Sequence, residues 1–225
     1  MNTENGVITG RAYGGLAIMW RKTLAKFSNI VTYDCNRLLG IEIDTGNLNI
    51  LVLNVYLPYC APSNSEECQQ SLGMIDSIMR ECGSAKHILV IENFNADPQQ
   101  VNGSVAHQFG KELSELCKQE GYKISDTILI DNSEAAFTHV SVAHGTTSWL
   151  DHVLTTSLTH ALISDICIQY NFVTSDHVPL VVSLNLPALP RMEEEEQQPA
   201  SNRRITWDKL RRMSTWITLR NYSPQ

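Results

Sequence analysis

The sequence predicts an α/β or α+β sandwich in which a few helices are interspersed among a larger number of strands. Short apolar segments typical of buried strands outnumber helical patterns by about three to one. The two kinds of element follow each other irregularly, which argues against a regular alternation of one strand with one helix. A length of 225 residues suits one sizeable domain with a shorter appendage, and a hydrophobic content of 43% is typical of a globular protein.

Three strands are predicted in the first quarter of the chain. Two glycines at residues 14–15 form a turn that leads into an apolar strand at residues 16–20. Two further strands, at residues 38–43 and 48–56, flank the sequence Asp-Thr-Gly-Asn at residues 44–47. This composition is typical of a hairpin turn, so we expect these two strands to be joined by one.

Two amphipathic helices are predicted between the strands. Residues 63–82 carry apolar side chains at helical spacing, with Ser65 or Asn64 as the candidate cap. Residues 105–119 show the same spacing, and Gly121 is expected to end the helix. Six further apolar segments predict strands, at residues 87–91, 123–130, 136–140, 148–154, 161–169 and 178–186.

The character of the chain changes at the end of the predicted strands. Residues 1–186 carry all of the strands and form the predicted domain. Residues 187–202 are acidic and rich in proline and glutamine, a composition typical of a linker that is too polar to fold. Residues 203–225 predict a basic amphipathic helix with Trp207 on its apolar face. We interpret this helix as the start of a following region that the sequence does not complete.

The charge is distributed unevenly between these parts. Residues 1–186 carry 10 Lys and Arg against 19 Asp and Glu, a balance of −9. Residues 187–225 carry 7 against 5, a balance of +2. An acidic body is a poor electrostatic match for a nucleic acid, because affinity for the phosphate backbone comes largely from Lys and Arg. It suits a cation site, or a surface without a polyanionic partner.

The cysteines, the apolar segments and the first residues together predict the cellular compartment in which the protein resides. The six cysteines are scattered and contain no C-x-x-C pair, which argues against a zinc site and against a disulfide framework. No apolar segment approaches the ~20 residues that a membrane span requires. The first residues show no secretory signal. We therefore expect an intracellular protein, nuclear or cytoplasmic, with no membrane and no disulfide partner.

Four clusters of polar residues follow or precede the predicted strands. They are Asn54-Val55-Tyr56-Leu57-Pro58, Asn93-Phe94-Asn95, Ser148-Trp149-Leu150-Asp151 and Ser175-Asp176-His177. Polar side chains at the ends of apolar strands are a common way for a rigid scaffold to present a functional site. The carboxylate and imidazole of the last cluster are a plausible acid–base or metal-binding pair.

The order and spacing of these clusters resemble the endonuclease/exonuclease/phosphatase superfamily of metal-dependent phosphodiesterases, and in particular the endonuclease domain of LINE-type (non-LTR) retrotransposons. The resemblance covers residues 11–186. It implies two mixed β-sheets packed face to face with helices outside. It also implies DNA as substrate and attack of water on a phosphodiester, assisted by Mg²⁺ or Mn²⁺. Residues 203–225 resemble the start of the region that joins such a domain to a reverse transcriptase.

The resemblance implies a role for three residues near the end of the domain. His177, oriented by Asp151, would bind the phosphate or move a proton. Asp176 would be a metal or water ligand beside them. Asp151 could instead be a turn or helix cap. We expect His152, its neighbour, to point to the other side of the strand, and we assign no role to the remaining histidines.

The resemblance implies a role for three further side chains. Asn95 would donate to a phosphate oxygen or hold the attacking water, and Tyr56 would stabilise charge that develops on the phosphorane. Asn54 would support Tyr56 from behind. For two of them an ordinary structural interpretation stays open, since Tyr56 could be a strand-end aromatic and Asn95 could form an Asx-turn ahead of Pro98.

One departure from the family pattern affects the catalytic position. The motif after the strand at residues 87–91 reads Gly-Asp-x-Asn in the family, but here it reads Glu92-Asn93-Phe94-Asn95. Asn93 therefore occupies the place of the catalytic aspartate, and an amide cannot accept a proton or carry negative charge. Loss of such a base commonly costs ~10²–10⁴ in rate. Glu92 is not expected to compensate, because adjacent strand residues point to opposite faces.

A second departure concerns the start of the chain. The family begins with strands that bring an Asn and then a Glu, the principal metal ligand, before the glycine pair. Here the glycines come almost at once, and Glu4 has no strand-like context. We therefore expect the first strands and the main metal carboxylate to be missing.

The two departures predict a retrotransposon-derived endonuclease-like domain with weakened or lost activity. A phosphatase or phospholipase of the same superfamily is an alternative, although the sequence shows no basic pocket for such substrates. A second alternative is a non-catalytic module that binds nucleic acid, or a pseudogene remnant. The basic residues at 203–225 could contact phosphate, but a lone basic cluster is more often a solvated helix face.

Overall fold

A layered α/β structure is formed by the part of the chain that the computed structural model describes, in which a mixed sheet lies between helices on one face and a smaller sheet on the other. The described residues are 2–4, 7–9, 16–82, 86–98, 107–130, 136–171 and 175–186. The fold class predicted from the sequence is confirmed. The predicted linker at residues 187–202 and the predicted basic helix at residues 203–225 lie outside the described residues.

Strands predominate over helices among the described residues. The strands are β1 (Asn2–Glu4), β2 (Val7–Thr9), β3 (Ser28–Thr32), β4 (Leu38–Asp44), β5 (Asn49–Tyr56), β6 (His87–Asn93), β7 (Lys123–Ile124), β8 (His139–Ser141), β9 (Thr146–Ser148), β10 (Asp151–Thr155), β11 (Ile163–Ile168) and β12 (Leu180–Leu184). The α-helices are α1 (Ser65–Cys82), α2 (His107–Glu120), α3 (Ser125–Leu129) and α4 (Ser157–Leu162), and 3₁₀ helices span Lys22–Phe27 and Pro62–Asn64. Within these ranges, no helix combines the length and the apolar character that crossing a membrane requires.

The main sheet is mixed and has the strand order β3-β4-β5-β6-β10-β7. Its central strands β5 and β6 are parallel, and every other neighbouring pair in this sheet is antiparallel. A parallel pair needs a crossover connection, which α1 supplies between β5 and β6. Both strands are mostly apolar and buried, as is typical of strands that are covered on both faces.

The two faces of the main sheet have separate hydrophobic cores, because successive residues of a strand point to opposite faces. On one face, Leu53 and Val90 belong to a cluster that includes Ile75 of α1. On the other face, Val52 belongs to a cluster that includes Leu180 of β12. These five side chains are at most 1% exposed. Burial of each contributes roughly 1.5–3 kcal/mol to the free energy of unfolding.

The second sheet and a separate hairpin complete the layer opposite the helices. β11 and β12 are antiparallel, with an irregularity between Ile163 and Asp165. β8 and β9 form the hairpin, and an isolated antiparallel bridge joins His139 of β8 to His177, shortly before β12. The hairpin is therefore fixed to the segment that carries one of the predicted site residues.

Four predicted strands need correction. Residues 16–20 form no strand, since apolar composition alone does not show whether a segment has a pairing partner. Residues 123–130 begin as β7 but continue as α3, where Ser125 and Asp126 turn inward. The segment at 148–154 is divided between β9 and β10, and the segment at 161–169 starts in α4 before it becomes β11. These segments were assigned from composition, which does not fix element boundaries.

The expectation for Glu4 is also wrong. This residue ends β1, which pairs with β2 in antiparallel register from Asn2 opposite Thr9 to Glu4 opposite Val7. β3, in contrast, was not predicted at all. It is an edge strand with a mostly exposed surface, so the alternation of buried and exposed side chains that reveals a strand is weak there.

Candidate active site

Three of the predicted site residues lie next to one another at one edge of the main sheet. Tyr56 at the end of β5 is opposite Asn93 at the end of β6, and Asn93 is opposite Asp151 at the start of β10. Residues opposite each other on neighbouring strands share a face of the sheet. Tyr56 has the same parity as Val52, so this face is the one that is covered by the second sheet.

His177 comes to this edge from the segment before β12. Its Nδ1 lies 2.8 Å from Oδ2 of Asp151, a carboxylate that is 1% exposed. Because a carboxylate can only accept, Nδ1 carries the proton. Burial disfavours the imidazolium, but the hydrogen bond and charge of Asp151, followed by the charges of Asp176 and Glu92, raise the pKa of His177 above its ordinary value. The predicted residues His177 and Asp151 are therefore a hydrogen-bonded dyad.

The second carboxylate oxygen of Asp151 has no protein partner. This atom, Oδ1, is buried and has no hydrogen-bond partner within the described part of the chain. An unpaired buried carboxylate oxygen is unfavourable. The interaction of Asp151 with His177 is therefore made through Oδ2 alone.

A buried threonine holds the dyad in place. The hydroxyl oxygen of Thr138 accepts hydrogen bonds from the N–H groups of Leu150 and Asp151, at 3.0 and 2.9 Å. The carbonyl of Thr138 accepts from the N–H of Val178 at 2.6 Å. Thr138 therefore joins the strand of Asp151 to the segment of His177. The sequence analysis missed it, because its role depends on contacts with residues distant in the chain.

His139 is a second histidine at the site. Its ring centroid lies 4.8 Å from that of His177, and the two rings are inclined by 57°. Burial, together with the neighbouring charge of His177, lowers the pKa of His139 below its ordinary value. The backbone N–H of Val140 donates to the carbonyl of Asp176 at 2.8 Å. The β8–β9 hairpin thus forms a wall of the site, and no sequence motif identified His139 as part of it.

Asn93, the last residue of β6, and Asn95 both use their side chains in hydrogen bonds to the backbone. Oδ1 of Asn93 accepts from the backbone N–H of Asn95 at 2.7 Å, which is the geometry of an Asx-turn. Nδ2 of Asn95 donates to the carbonyl of Leu57 at 2.7 Å, and the backbone of Asn95 has a φ of 47°. Asn93 thus forms an Asx-turn, with Asn95 as its donor.

Glu92 occupies the position at which the family pattern has glycine, and its backbone explains that preference. Its φ is 102°, a region that residues with a side chain rarely adopt. Such a conformation costs about 1–3 kcal/mol and is most often found at functional sites. It also removes the extended geometry on which strict alternation depends. The expectation that Glu92 faces away from the site therefore loses its basis, and its carboxylate is one of those that raise the pKa of His177.

Tyr56 and Asn54 are held by different partners. The Arg37 guanidinium lies 5.5 Å from the ring centroid of Tyr56 and donates to the Tyr56 carbonyl at 3.3 Å. Asn54 is 6% exposed and donates to the carbonyl of Ala17 at 3.0 Å. Asn54 thus anchors residues 16–20 beside the sheet. That contact explains how this apolar segment is held although it is not a strand.

Asp176, the predicted metal ligand, lies at the outer edge of the site. It is exposed, and its carboxylate accepts a hydrogen bond from the hydroxyl of Ser175 at 3.3 Å. Among the described residues, no group of three or more His, Cys, Asp or Glu side chains could hold a metal ion. An amide stands at position 93, and Asp151 is already bonded to His177. This set of donors does not fit the hard, multiple oxygen ligands that Mg²⁺ requires.

Comparisons with known proteins agree with this architecture. The model of a family described as endonuclease-reverse transcriptase matches residues 50–181. Among solved structures, the endonuclease domain of TRAS1, a telomere-specific non-LTR retrotransposon, superposes with a TM-score of 0.53 at 18% identity, over 67% of this chain and 66% of that one. An AP endonuclease from Archaeoglobus fulgidus superposes with a TM-score of 0.52 at 17% identity, over 64% of this chain and 63% of that one. No curated protein matches significantly in sequence.

The extent of these matches limits what they imply. This chain covers just under two thirds of the length of both solved structures. Identities of 17% and 18% establish a shared fold but not a shared activity.

Proposed function

Because the chain belongs to the endonuclease-reverse transcriptase family, we propose that it is a retrotransposon-derived domain of the phosphodiesterase type, whose ability to nick DNA is weakened or lost. The family description also supports an ancestral fusion to a reverse transcriptase. Both solved relatives carry the name endonuclease, which supports DNA as the ancestral substrate.

One observation carries the proposed loss of activity. The side chain of Asn93 closes a turn onto the backbone of Asn95 instead of presenting a carboxylate. An amide oxygen can accept a hydrogen bond, but it cannot take a proton from water at neutral pH or neutralise a cation. Loss of a general base of this kind lowers a rate by about 10²–10⁴.

The dyad supports the kinship with active phosphodiesterases. His177 holds its Nδ1 proton toward Asp151, so its other ring nitrogen is the one that can meet a phosphate oxygen. A pKa above the ordinary value favours the imidazolium, which can donate to a phosphate and offset its charge. Asn95 can add a further hydrogen bond from its amide. These groups can bind a phosphodiester without hydrolysing it.

The superfamily implies a divalent cation, but the residues of this chain offer few ligands for one. Members of the superfamily generally depend on such an ion, which when bound would activate water and stabilise phosphate charge. At the candidate site, the described residues offer Asp176 as an exposed carboxylate and do not assemble a set of ligands around it. We therefore propose weak binding of Mg²⁺ or Mn²⁺, and we assign no catalytic step to the ion.

The proposal is tested by incubating the purified full chain with supercoiled plasmid in the presence of Mg²⁺ or of EDTA. We expect nicking ~10²–10⁴ slower than by an active endonuclease domain of the same family, measured side by side. Robust Mg²⁺-dependent nicking that His177→Ala abolishes would contradict the proposed loss of activity. His144→Ala, on an exposed residue, is the matched control.

The variant Asn93→Asp extends this test. A carboxylate at position 93 restores a proton acceptor but leaves the site short of further metal ligands, so we expect an activity still below that of the active domain. Recovery to the full rate of the active domain would show that another carboxylate already holds the cation.

A further inference from the structure

A buried histidine–aspartate pair lies on the opposite face of β10 from the dyad. Nδ1 of His152 is 2.7 Å from Oδ2 of Asp126 in α3, and neither side chain is exposed. The prediction that His152 points away from Asp151 is confirmed by these contacts. Oδ1 of Asp126 accepts from the backbone N–H of Val153 at 2.8 Å, so both carboxylate oxygens are hydrogen-bonded. Neither residue has a part in the function proposed above.

The partners of the His152 ring determine its protonation. Nε2 lies 2.8 Å from the carbonyl oxygen of Ala96 and 3.2 Å from that of Trp149. The carboxylate on Nδ1 and the carbonyls on Nε2 can only accept hydrogen bonds, so each ring nitrogen has to donate one. A neutral imidazole carries only one N–H and would leave one of these contacts repulsive. With Asp126 ionised, the geometry therefore favours the imidazolium.

The surrounding side chains favour a buried cation at this place. The Trp149 ring is nearly parallel to the His152 ring at 6.2 Å, and the Phe94 ring meets it edge-on at 6.1 Å. The face of the Trp149 ring attracts a cation only weakly at this separation, because the attraction acts within about 6 Å of the ring centroid. Asp126 supplies the compensating charge, without which a buried cation would be strongly unfavourable.

The carbonyls that His152 binds belong to the two segments that carry the site. Ala96 directly follows Asn95, and Trp149 lies two residues before Asp151. We propose that His152 is a permanently protonated positioning residue that fixes the loop after β6 against the start of β10. It thereby sets the distance between the asparagine turn and the dyad. The proposal rests on the proposed location of the site but not on whether the site still hydrolyses DNA.

Charged groups on two elements bear on the protonation of His152. They are Asp126 on α3 and Asp151 on the same strand as His152. Burial disfavours the imidazolium. The charge and hydrogen bond of Asp126, the carbonyl of Ala96 and the charge of Asp151 outweigh it and raise the pKa of His152. All of the named groups are anionic or accepting, so each favours the protonated ring.

Protonation is tested by NMR of the full chain labelled with ¹⁵N-histidine. At about pH 8.5, well above the ordinary imidazole pKa of about 6.5, we expect one histidine to retain two slowly exchanging ring N–H signals. His152→Gln should remove these signals, and Asp126→Asn should leave only one of them. His160→Gln, on a partly buried histidine bonded to Ser125, should leave them unchanged. If all seven histidines of the wild-type chain are neutral at this pH, the proposal is wrong, and this result needs no variant to fold.

The positioning role is tested by hydrogen exchange at the backbone N–H of Asn95, which donates to Asn93. We expect His152→Gln to accelerate this exchange by about 10-fold or more under native conditions. Leu184→Ala, which opens the core between the sheets, is the control for a general loss of stability. If hydrogen exchange at Asn95 is accelerated equally in the two variants at matched global stability, His152 contributes only to general stability and the proposed positioning role is wrong. Robust nicking of plasmid by the wild-type chain would overturn the proposed loss of activity but leave both of these outcomes unaffected.

Discussion

The bond between Asp151 and His177 sets the charge of the candidate site. A histidine whose pKa is raised by folding contributes stability that is fully present below its unfolded value of about 6.5. That contribution is lost as the pH rises through the folded pKa. The dyad is therefore expected to stabilise the fold most in mildly acidic solution.

This pH dependence can be measured by urea unfolding of wild type and Asp151→Asn. The difference in free energy of unfolding between the two proteins should be larger at about pH 5.5 than at about pH 9, because Asn cannot stabilise the imidazolium. Asp165→Asn, at an exposed position of β11, should show no such trend. A difference that grows with pH would mean that His177 is neutral in the fold.

Glu92 gives a second prediction at the scale of one residue. Glycine adopts a φ of 102° without strain, so Glu92→Gly is expected to raise the free energy of unfolding by about 1 kcal/mol. Glu92→Ala keeps the Cβ atom and should give no gain, which makes it the matched control. Thermal and urea unfolding measure both variants. Equal destabilisation by the two changes would show that the backbone at this position is not strained.

Some of the site residues could be predicted from the sequence, and others could not. Asp151 and His177 lie in polar clusters at strand ends, and the resemblance to the superfamily implied that they form a dyad. The structure joins them in one hydrogen bond. Thr138 and His139 were missed, because both act through contacts with residues far away in the chain. The Asx-turn at Asn93 was not predicted. Residue type shows what a side chain can do, whereas its partner is decided by the tertiary fold.

Among the elements, α2 has an unusually close contact with the loop that follows β6. A Cβ atom added to Gly110 would fall on the backbone carbonyl of Asp97 and close to Pro98. A backbone cannot move aside as a flexible side chain can. The approach of the helix to this loop therefore depends on glycine at that position.

This contact predicts opposite effects of the same change in two helices. Gly110→Ala should lower the free energy of unfolding by about 1–3 kcal/mol, because the loop or the helix has to move. Gly73→Ala in α1 meets open space and should raise it by up to about 1 kcal/mol through helix propensity. Urea unfolding compares the two. Stabilisation by Gly110→Ala would show that the helix and the loop are not in close contact.

The elements that sequence predicted best are those with a clear periodicity. β5, β6 and α1 lie close to their predicted positions, because central strands are continuous apolar segments and a long amphipathic helix repeats its apolar side chains. α3 was read as a strand, since its apolar residues Ile128 and Leu129 suggest one. Both are in fact exposed, and the helix is held instead by the buried Asp126. A short segment fixed by one polar contact gives no periodic signal.

For the molecule as a whole, the fold and the site follow from different parts of the sequence. The layered fold follows from strand composition and was predicted. The position of the site follows from the parallel pair β5 and β6, whose ends meet β10 at one edge. The site's remaining walls come from the β8–β9 hairpin and the segment before β12, which only the three-dimensional structure brings to that edge. The domain thus has the fold of the endonuclease-reverse transcriptase family, while an amide stands at the position that we propose for its catalytic carboxylate.

The central claim is that the family fold is present while the site binds a divalent cation only weakly. Its most direct test is the binding of Mn²⁺ to the full chain, measured by electron paramagnetic resonance. The described residues assemble no set of metal ligands, so we expect only weak binding, with a Kd on the order of 1 mM or higher. Asp176→Ala should leave that binding unchanged. A single stoichiometric site with a Kd of about 10 µM, lost in Asp176→Ala, would contradict the proposed weak binding of the cation.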